Sequence, residues 1–128
     1  MEKADKSVSR ILLVEDEKEI SELLSTFLEK NGFEVVACQD GDSALENFKN
    51  EKFSLIMLDL MLPGKDGYEI LREIRSQEKA AHTPVILLSA LAQKTEIEKG
   101  LKAGADFYIT KPYENKFLLE QIKRLLNE

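Results

Sequence analysis

A doubly wound α/β domain, built on a five-stranded parallel sheet with helices on both faces, is the architecture expected of these 128 residues. Three observations lead there. Short apolar runs alternate five times with segments whose apolar residues recur at helical spacing. No run returns through a two-residue hairpin, so crossovers must join neighbouring strands, and these are right-handed. The runs Phe53 to Leu58 and Val85 to Leu88 are almost wholly apolar, as strands covered on both faces require.

The elements follow in order. Residues 1–9 are polar and aperiodic and read as a flexible leader to a domain spanning 10–128. Ile11-Leu12-Leu13-Val14 is a strand that stops at Glu15-Asp16-Glu17. Ile20, Leu23, Leu24, Phe27 and Leu28 are spaced as the buried stripe of a helix, and Asn31-Gly32 ends it with the residue a left-handed cap prefers. Phe33 to Cys38 reads as a strand, and Asp42 to Asn50 as a helix buried through Ala44, Leu45 and Phe48. Phe53 to Leu58 ends at Asp59, and Pro63-Gly64-Lys65-Asp66-Gly67 carries turn chemistry, with Asp66 placed to cap the next helix. That helix is buried through Ile70, Leu71 and Ile74.

Pro84 opens the strand Val85 to Leu88, which ends at Ser89-Ala90. Residues 94–103 form a weaker helix, with Gly100 inside it at a cost of about 1 kcal/mol against alanine. Asp106 to Thr110 is the last strand and Asn115 to Asn127 the last helix. In that helix Leu118, Ile122 and Leu125 belong to the core, while Phe117, Leu119 and Leu126 widen its apolar surface. Two readings stand side by side: a broad buried face with scattered exposed residues, or a contact surface for a dimer mate, a kinase or an adjoining domain.

Composition narrows the function. Eighteen basic against twenty-four acidic residues leave a net charge of −6, which excludes a groove built to grip nucleic acid and suits basic partners or metal cations. No apolar stretch approaches the roughly 20 residues of a membrane span, and the N-terminus leads to no signal-peptide core. A single cysteine, Cys38, permits no intrachain disulfide and points to a reducing, cytoplasmic setting. Cys38 reads as a small buried filler, His82 as a solvated loop residue without partners for zinc, and Asp40 and Asp106 as turn residues.

In such folds ligands bind beyond the carboxyl ends of the strands. Glu15 and Asp16 follow the first strand, Asp59 ends the third, Ser89 the fourth, and Lys111 follows the fifth. Three crowded carboxylates repel one another, and a hard divalent cation, Mg²⁺ best, removes the conflict. A carboxylate beside Mg²⁺ and a lysine is a plausible nucleophile toward phosphorus, and a nearby serine suits a phosphoryl oxygen.

The set Leu13-Val14-Glu15-Asp16, Met57 to Gly67, Leu88-Ser89-Ala90 and Tyr108-Ile109-Thr110-Lys111-Pro112-Tyr113 resembles the receiver domain of two-component response regulators, the flavodoxin-like, CheY-like receiver, over residues 10 to about 128. The resemblance implies strand order 2-1-3-4-5. It implies that Asp59 takes a phosphoryl group from a sensor histidine kinase or a histidine phosphotransfer protein. Asp16, Asp59 and the backbone carbonyl of Met61 would ligate Mg²⁺ (or Mn²⁺), with Glu15 acting mainly through a metal-bound water. Lys111 would pair with a phosphoryl oxygen, Ser89 would move to another, and Tyr108 would turn inward as Ser89 leaves its place. The Lys111-Pro112 bond would be cis. The output face would be formed by helix 94–103, the last strand and the last helix, with dimer or effector contacts through residues 92–128.

Such a protein is a switch that assists its own phosphorylation and dephosphorylation, and by itself it binds neither nucleic acid nor membrane. Departures from the family pattern set limits. Phe107 stands where the winged-helix class tends to carry an acid, and the basic residues that class shows in its last helix are incompletely matched. Lys65 replaces a frequent methionine. Met61 and Leu91, apolar and bulky, predict slow self-dephosphorylation. The chain ends within its last helix, so it is expected either to stand alone or to be the receiver of a hybrid kinase or longer regulator. Among rivals, a flavin module would need a phosphate loop where Glu15-Asp16-Glu17 stands. A Mg²⁺-dependent aspartyl-phosphate phosphohydrolase would need a second acid where Met61 stands. A non-phosphorylated interaction module of the same fold is the remaining alternative.

Overall fold

The computed structural model describes residues 8–64 and 66–127, so most of the expected leader, and Lys65, lie outside the described residues. Five strands and five helices alternate. In chain order they are β1 (Arg10–Val14), α1 (Lys18–Lys30), β2 (Glu34–Cys38), α2 (Gly41–Asn50), β3 (Leu55–Asp59), α3 (Gly67–Arg75), β4 (Val85–Ser89), α4 (Lys94–Lys102), β5 (Phe107–Thr110) and α5 (Asn115–Leu126). All strand pairs are parallel, in the order β2-β1-β3-β4-β5. Both the doubly wound sheet and its order match the expectation. Among the described residues no helix is long and apolar enough to cross a membrane.

Alternation along the strands builds two cores. Leu12, Val14, Ile56, Leu58 and Leu87 face α2 and α3, where Ala44, Phe48, Ile70, Leu71 and Ile74 meet them. Ile11, Leu13, Leu55, Met57, Ile86 and Leu88 face the other way, toward Leu24 and Leu28 of α1 and Leu118 and Ile122 of α5. Because β1, β3 and β4 are covered on both faces, their runs carry no polar alternation.

Helix starts follow local chemistry. Asp66 caps α3 in a capping box with Glu69, as expected. Asp40 is more than a turn residue: its carboxylate accepts the Ser43 N–H and caps α2. Asp106 likewise does structural work, since its Oδ2 accepts both the Val85 N–H and an Arg75 guanidinium N–H, each at 2.8 Å. The same guanidinium also donates to the carbonyls of Gly104, Ala80 and Thr83 and ties the ends of α3 and α4 together.

Three expectations about packing change. Leu23 is 74% exposed and Ile20 is exposed, because the face of α1 against the sheet runs through Ser21, Leu24 and Leu28 and turns both residues away from it. Gly100 carries more than a propensity cost: a Cβ there would lie 2.8 Å from Leu87 Cδ1 and 3.0 Å from the Tyr108 ring. Glycine is what lets α4 lie against the sheet. In α5, Leu118 and Ile122 are buried, Leu119, Leu125 and Leu126 half-buried, and Phe117 exposed against the ring of Phe107. Cys38 is buried, with its thiol pushed up to about 12 by burial and then by the charge of Asp40, as befits an inert filler.

Candidate functional site

Parallel pairing brings every strand's carboxyl end to one edge of the sheet. Val14 lies opposite Leu58, so Glu15 emerges beside Asp59; Asp59 lies opposite Leu88, and Ser89 opposite Thr110. The ladder continues past the strand ends. Leu60 N–H donates to the Leu88 carbonyl and Lys111 N–H to the Ser89 carbonyl, at 2.9 and 2.8 Å. These bonds fix where the loops start, and with them the five side chains singled out by the sequence.

Glu15 and Asp59 are buried, at 1% and 4% exposure, and Asp16 is half-buried. One oxygen from each of the three lies within 4.8 Å of the others. Lys111 Nζ donates to Asp59 Oδ2 at 2.6 Å and reaches Glu15 Oε1 at 3.5 Å. The second oxygen of each carboxylate is also engaged: Asp59 Oδ1 accepts the Met61 N–H at 2.8 Å, and Glu15 Oε2 accepts the Glu17 N–H at 3.0 Å. The Lys111-Pro112 peptide is cis, as expected.

Ser89 and Tyr108 meet on a residue that the sequence did not single out for this purpose. The Leu91 N–H donates to Ser89 Oγ at 3.0 Å, and the Tyr108 hydroxyl donates to the Leu91 carbonyl at 2.7 Å. Tyr108 is buried, its ring turned inward, and Ser89 is buried beside it. One residue, Leu91, therefore links both through its N–H and its carbonyl at the start of the segment leading to α4.

Electrostatics follow from burial. Glu15 is pushed up to about 7 from an ordinary 4.5, chiefly by loss of solvent and then by the neighbouring charge of Asp59, while the Glu17 N–H and Lys111 pull the other way. For Lys111, burial opposes the charge, but the hydrogen bond and charge of Asp59, with Glu15, outweigh it and raise the ammonium above its usual value. One ammonium is too little for three carboxylates. The donor set is all oxygen, anionic and convergent, so it fits a hard divalent cation.

A pH dependence follows. With its folded value raised, Glu15 contributes stability that is complete below pH 4.5 and is lost as the pH rises through about 7. Urea unfolding of metal-free protein is expected to show that loss, up to roughly 3 kcal/mol. Saturating divalent cation should flatten the profile by favouring the ionised form. A metal-free stability that climbs across this window would contradict the assignment.

A second feature beside the rim escaped the sequence reading. Ile20 and Leu23 of α1, with Lys111, Pro112, Tyr113 and Asn115, line an apolar groove of about 390 Å³. The available signal was the breadth of the stripe, since Leu23 lies about 100° round the helix from Leu24 and so at the edge of the face that meets the sheet.

The site can be set against known proteins. The response regulator receiver domain family matches residues 11–123. The regulatory protein VanRB of Enterococcus faecalis is 40% identical over 117 residues, covering 91% of this chain and 52% of that protein. The phosphate regulon transcriptional regulatory protein PhoB of Escherichia coli is 39% identical over 117 residues, covering 91% and 51%. The chain thus spans about half the length of these relatives. Among solved structures, the receiver domain of the Francisella response regulator 1452 superposes with a TM-score of 0.87 at 34% identity, covering 93% of this chain and 97% of that one. The chemotaxis response regulator CheY4 of Vibrio cholerae does so at 0.89 and 28% identity, covering 94% and 100%. With the sheet order and the acidic rim already in place, the match over nearly the whole chain makes this protein a member of the response regulator receiver domain family, the phosphoacceptor switches of two-component signalling.

Proposed function

We propose that Asp59 is the phosphoacceptor. The observation that carries this reading is a buried carboxylate held 2.6 Å from the Lys111 ammonium, at the centre of a rim of three acids. In the reaction, the phosphorus–nitrogen bond of a phosphohistidine breaks as a phosphorus–oxygen bond to Asp59 forms. The electron pair goes to the imidazole nitrogen, which takes up a proton. The Met61 N–H and Lys111 orient the Asp59 carboxylate, and Lys111 remains to neutralise phosphoryl charge.

Mg²⁺ (or Mn²⁺) would be held by Asp16, Asp59 and the Met61 carbonyl, with Glu15 beside them, and would supply positive charge where phosphoryl charge builds up. Ser89 gives up the Leu91 N–H to donate to a phosphoryl oxygen, beside a Tyr108 ring that is already turned inward. The outcome is a population shift of α4, β5 and α5, the proposed output face. Water attack on phosphorus returns Asp59 and inorganic phosphate. That step is expected to be slow, because the bulky apolar side chains of Met61 and Leu91 flank the rim, where they line one cavity with Asp16.

The donor is a sensor histidine kinase or a histidine phosphotransfer protein in the cytoplasm. The groove of Ile20, Leu23, Pro112 and Tyr113 lies beside Lys111 and suits the apolar flank of a helix that presents the histidine. Leu23→Glu should cut transfer from such a donor by about tenfold, the equivalent of about 1.4 kcal/mol of docking, and leave phosphorylation by acetyl phosphate unchanged. Equal effects on both donors would place the defect in the site instead.

The decisive test is intact mass after incubation with Mg²⁺ and acetyl phosphate. Wild type should gain one base-labile phosphoryl group and Asp59→Asn none. No gain in wild type would return the chain to the silent interaction module.

A further inference from the structure

Helix α4 is poorly anchored by its own residues. Gly100 is its one fully buried residue, and its N-cap, Gln93, makes no side-chain capping bond. Lys94, Thr95, Glu98, Lys99, Leu101 and Lys102 are exposed. A helix start with no side-chain cap, and with only Ile97 half-buried against the core beside Gly100, gains from an anchor elsewhere.

Tyr68 supplies it. This residue stands in the first turn of α3, buried at 5% exposure, and its hydroxyl reaches across to the first turn of α4. It donates to Glu96 Oε1 at 2.9 Å and lies 3.2 Å from the Glu96 carbonyl. Lys99 Nζ sits 4.4 Å from the centre of the same ring, one helical step further on. Burial, with the Glu96 carboxylate, raises the phenol well above its usual value, so it remains a donor at any working pH. A charge-assisted hydrogen bond, even part-buried as here, is among the stronger contacts a side chain can make.

The connection to the rim is direct. Tyr68 lines a cavity of about 520 Å³ with Asp16, Met61 and Leu91. The segment between the rim and α4 is therefore fixed at both ends. Near the rim, Ser89 and Tyr108 hold the Leu91 peptide; at the helix, Tyr68 holds Glu96. If Ser89 leaves Leu91 for a phosphoryl oxygen, the near end is released and the far end is not. How far α4 can then move depends on the second tie.

We propose that Tyr68 is a positioning residue of the switch, whose hydrogen bond to Glu96 holds α4 in the unphosphorylated arrangement and opposes its shift. The proposal rests on Asp59 as phosphoacceptor. By linkage, any contact made only in the unshifted state lowers the apparent affinity for a ligand that favours the shifted one. Loss of the tie should therefore tighten binding at Asp59, a residue Tyr68 does not touch.

The test titrates beryllofluoride, a phosphoryl mimic, with Mg²⁺ into wild type, Tyr68→Phe, Glu96→Ala and the double variant, followed by amide NMR. Tyr68→Phe should bind about tenfold tighter. Its α4 amides should lie partway toward their bound positions before any ligand is added and should exchange with solvent faster than those of α3. Glu96→Ala, which leaves the Glu96 backbone carbonyl as an acceptor, should shift affinity the same way by less, the double variant should match Tyr68→Phe, and Glu96→Gln, which keeps both acceptors, should stay near wild type. Unchanged affinity in Tyr68→Phe, even with lowered stability, would reduce the contact to a structural one and overturn the proposal. Weaker binding would overturn it as well, by placing the tie in the shifted state. If wild type fails to bind beryllofluoride, the reading of Asp59 falls and the proposal with it.

Discussion

Lys111→Met is expected to destabilise the metal-free protein by about 3 kcal/mol at neutral to alkaline pH, and by much less under mildly acidic conditions. Among the described residues Lys111 is the one cation in contact with Glu15 and Asp59, so its loss leaves two buried carboxylates facing each other with no counter-charge. Removing one partner of a buried ion pair costs about 3–5 kcal/mol, and the partial exposure of the lysine places this case at the lower end. Acid rescues because Glu15 already holds its proton up to about pH 7 in the intact site, and without the ammonium it holds it higher still. Divalent cation should rescue too, and should stabilise the variant more than wild type, since it becomes the sole source of positive charge. Urea unfolding at acidic and alkaline pH, with and without Mg²⁺, reads all four arms. A loss that ignores both pH and metal would mean that Lys111 contributes packing rather than charge.

The second large effect is expected at Gly67, where alanine should cost about 3 kcal/mol and weaken Mg²⁺ binding by about tenfold. The cause is a close approach, since a Cβ there would lie 2.7 Å from Leu60 Cα and 2.9 Å from the Leu60 carbonyl oxygen. Both atoms are backbone, so no rotamer change relieves the clash. The segment after β3 must move, and it carries Met61, whose N–H holds Asp59 Oδ1. Gly64→Ala provides the contrast. That glycine has φ of +82° with open space around it, so alanine there should cost only about 1 kcal/mol of backbone strain and leave metal affinity alone. Calorimetric Mg²⁺ titration beside denaturant melts separates the two. Equal metal affinities in both variants would break the proposed link between Gly67 and the rim.

Much of the rim was legible without coordinates, for a topological reason. A sequence that alternates strand and helix with no hairpin favours parallel pairs, and parallel pairs deliver every strand's last residue to the same edge. Glu15, Asp16, Asp59, Ser89 and Lys111 were therefore neighbours as soon as their strands were recognised. Asp66 was legible too, because capping is a local contest between a side chain and nearby N–H groups.

Other features were invisible for an equally physical reason. Periodicity says that α1 has an apolar side but not which adjacent residue meets the sheet, so Leu23 looked buried and proved open. Propensity assigned Gly100 a penalty without knowing that Leu87 and Tyr108 press against it. Asp106 read as a turn residue because its partner Arg75 lies 31 positions away. Tyr68 and Glu96, 28 positions apart on different helices, carry no mutual signature in the chain.

Local pattern, with the strand order that the family resemblance implied, thus determined what kind of domain this is and which side chains share its rim. Only the packed structure decided which apolar residues stay uncovered, which glycines are held by close contact, and how α4 is tied to α3. Those outcomes depend on distances between segments remote in the chain, and such distances exist only once the elements have docked.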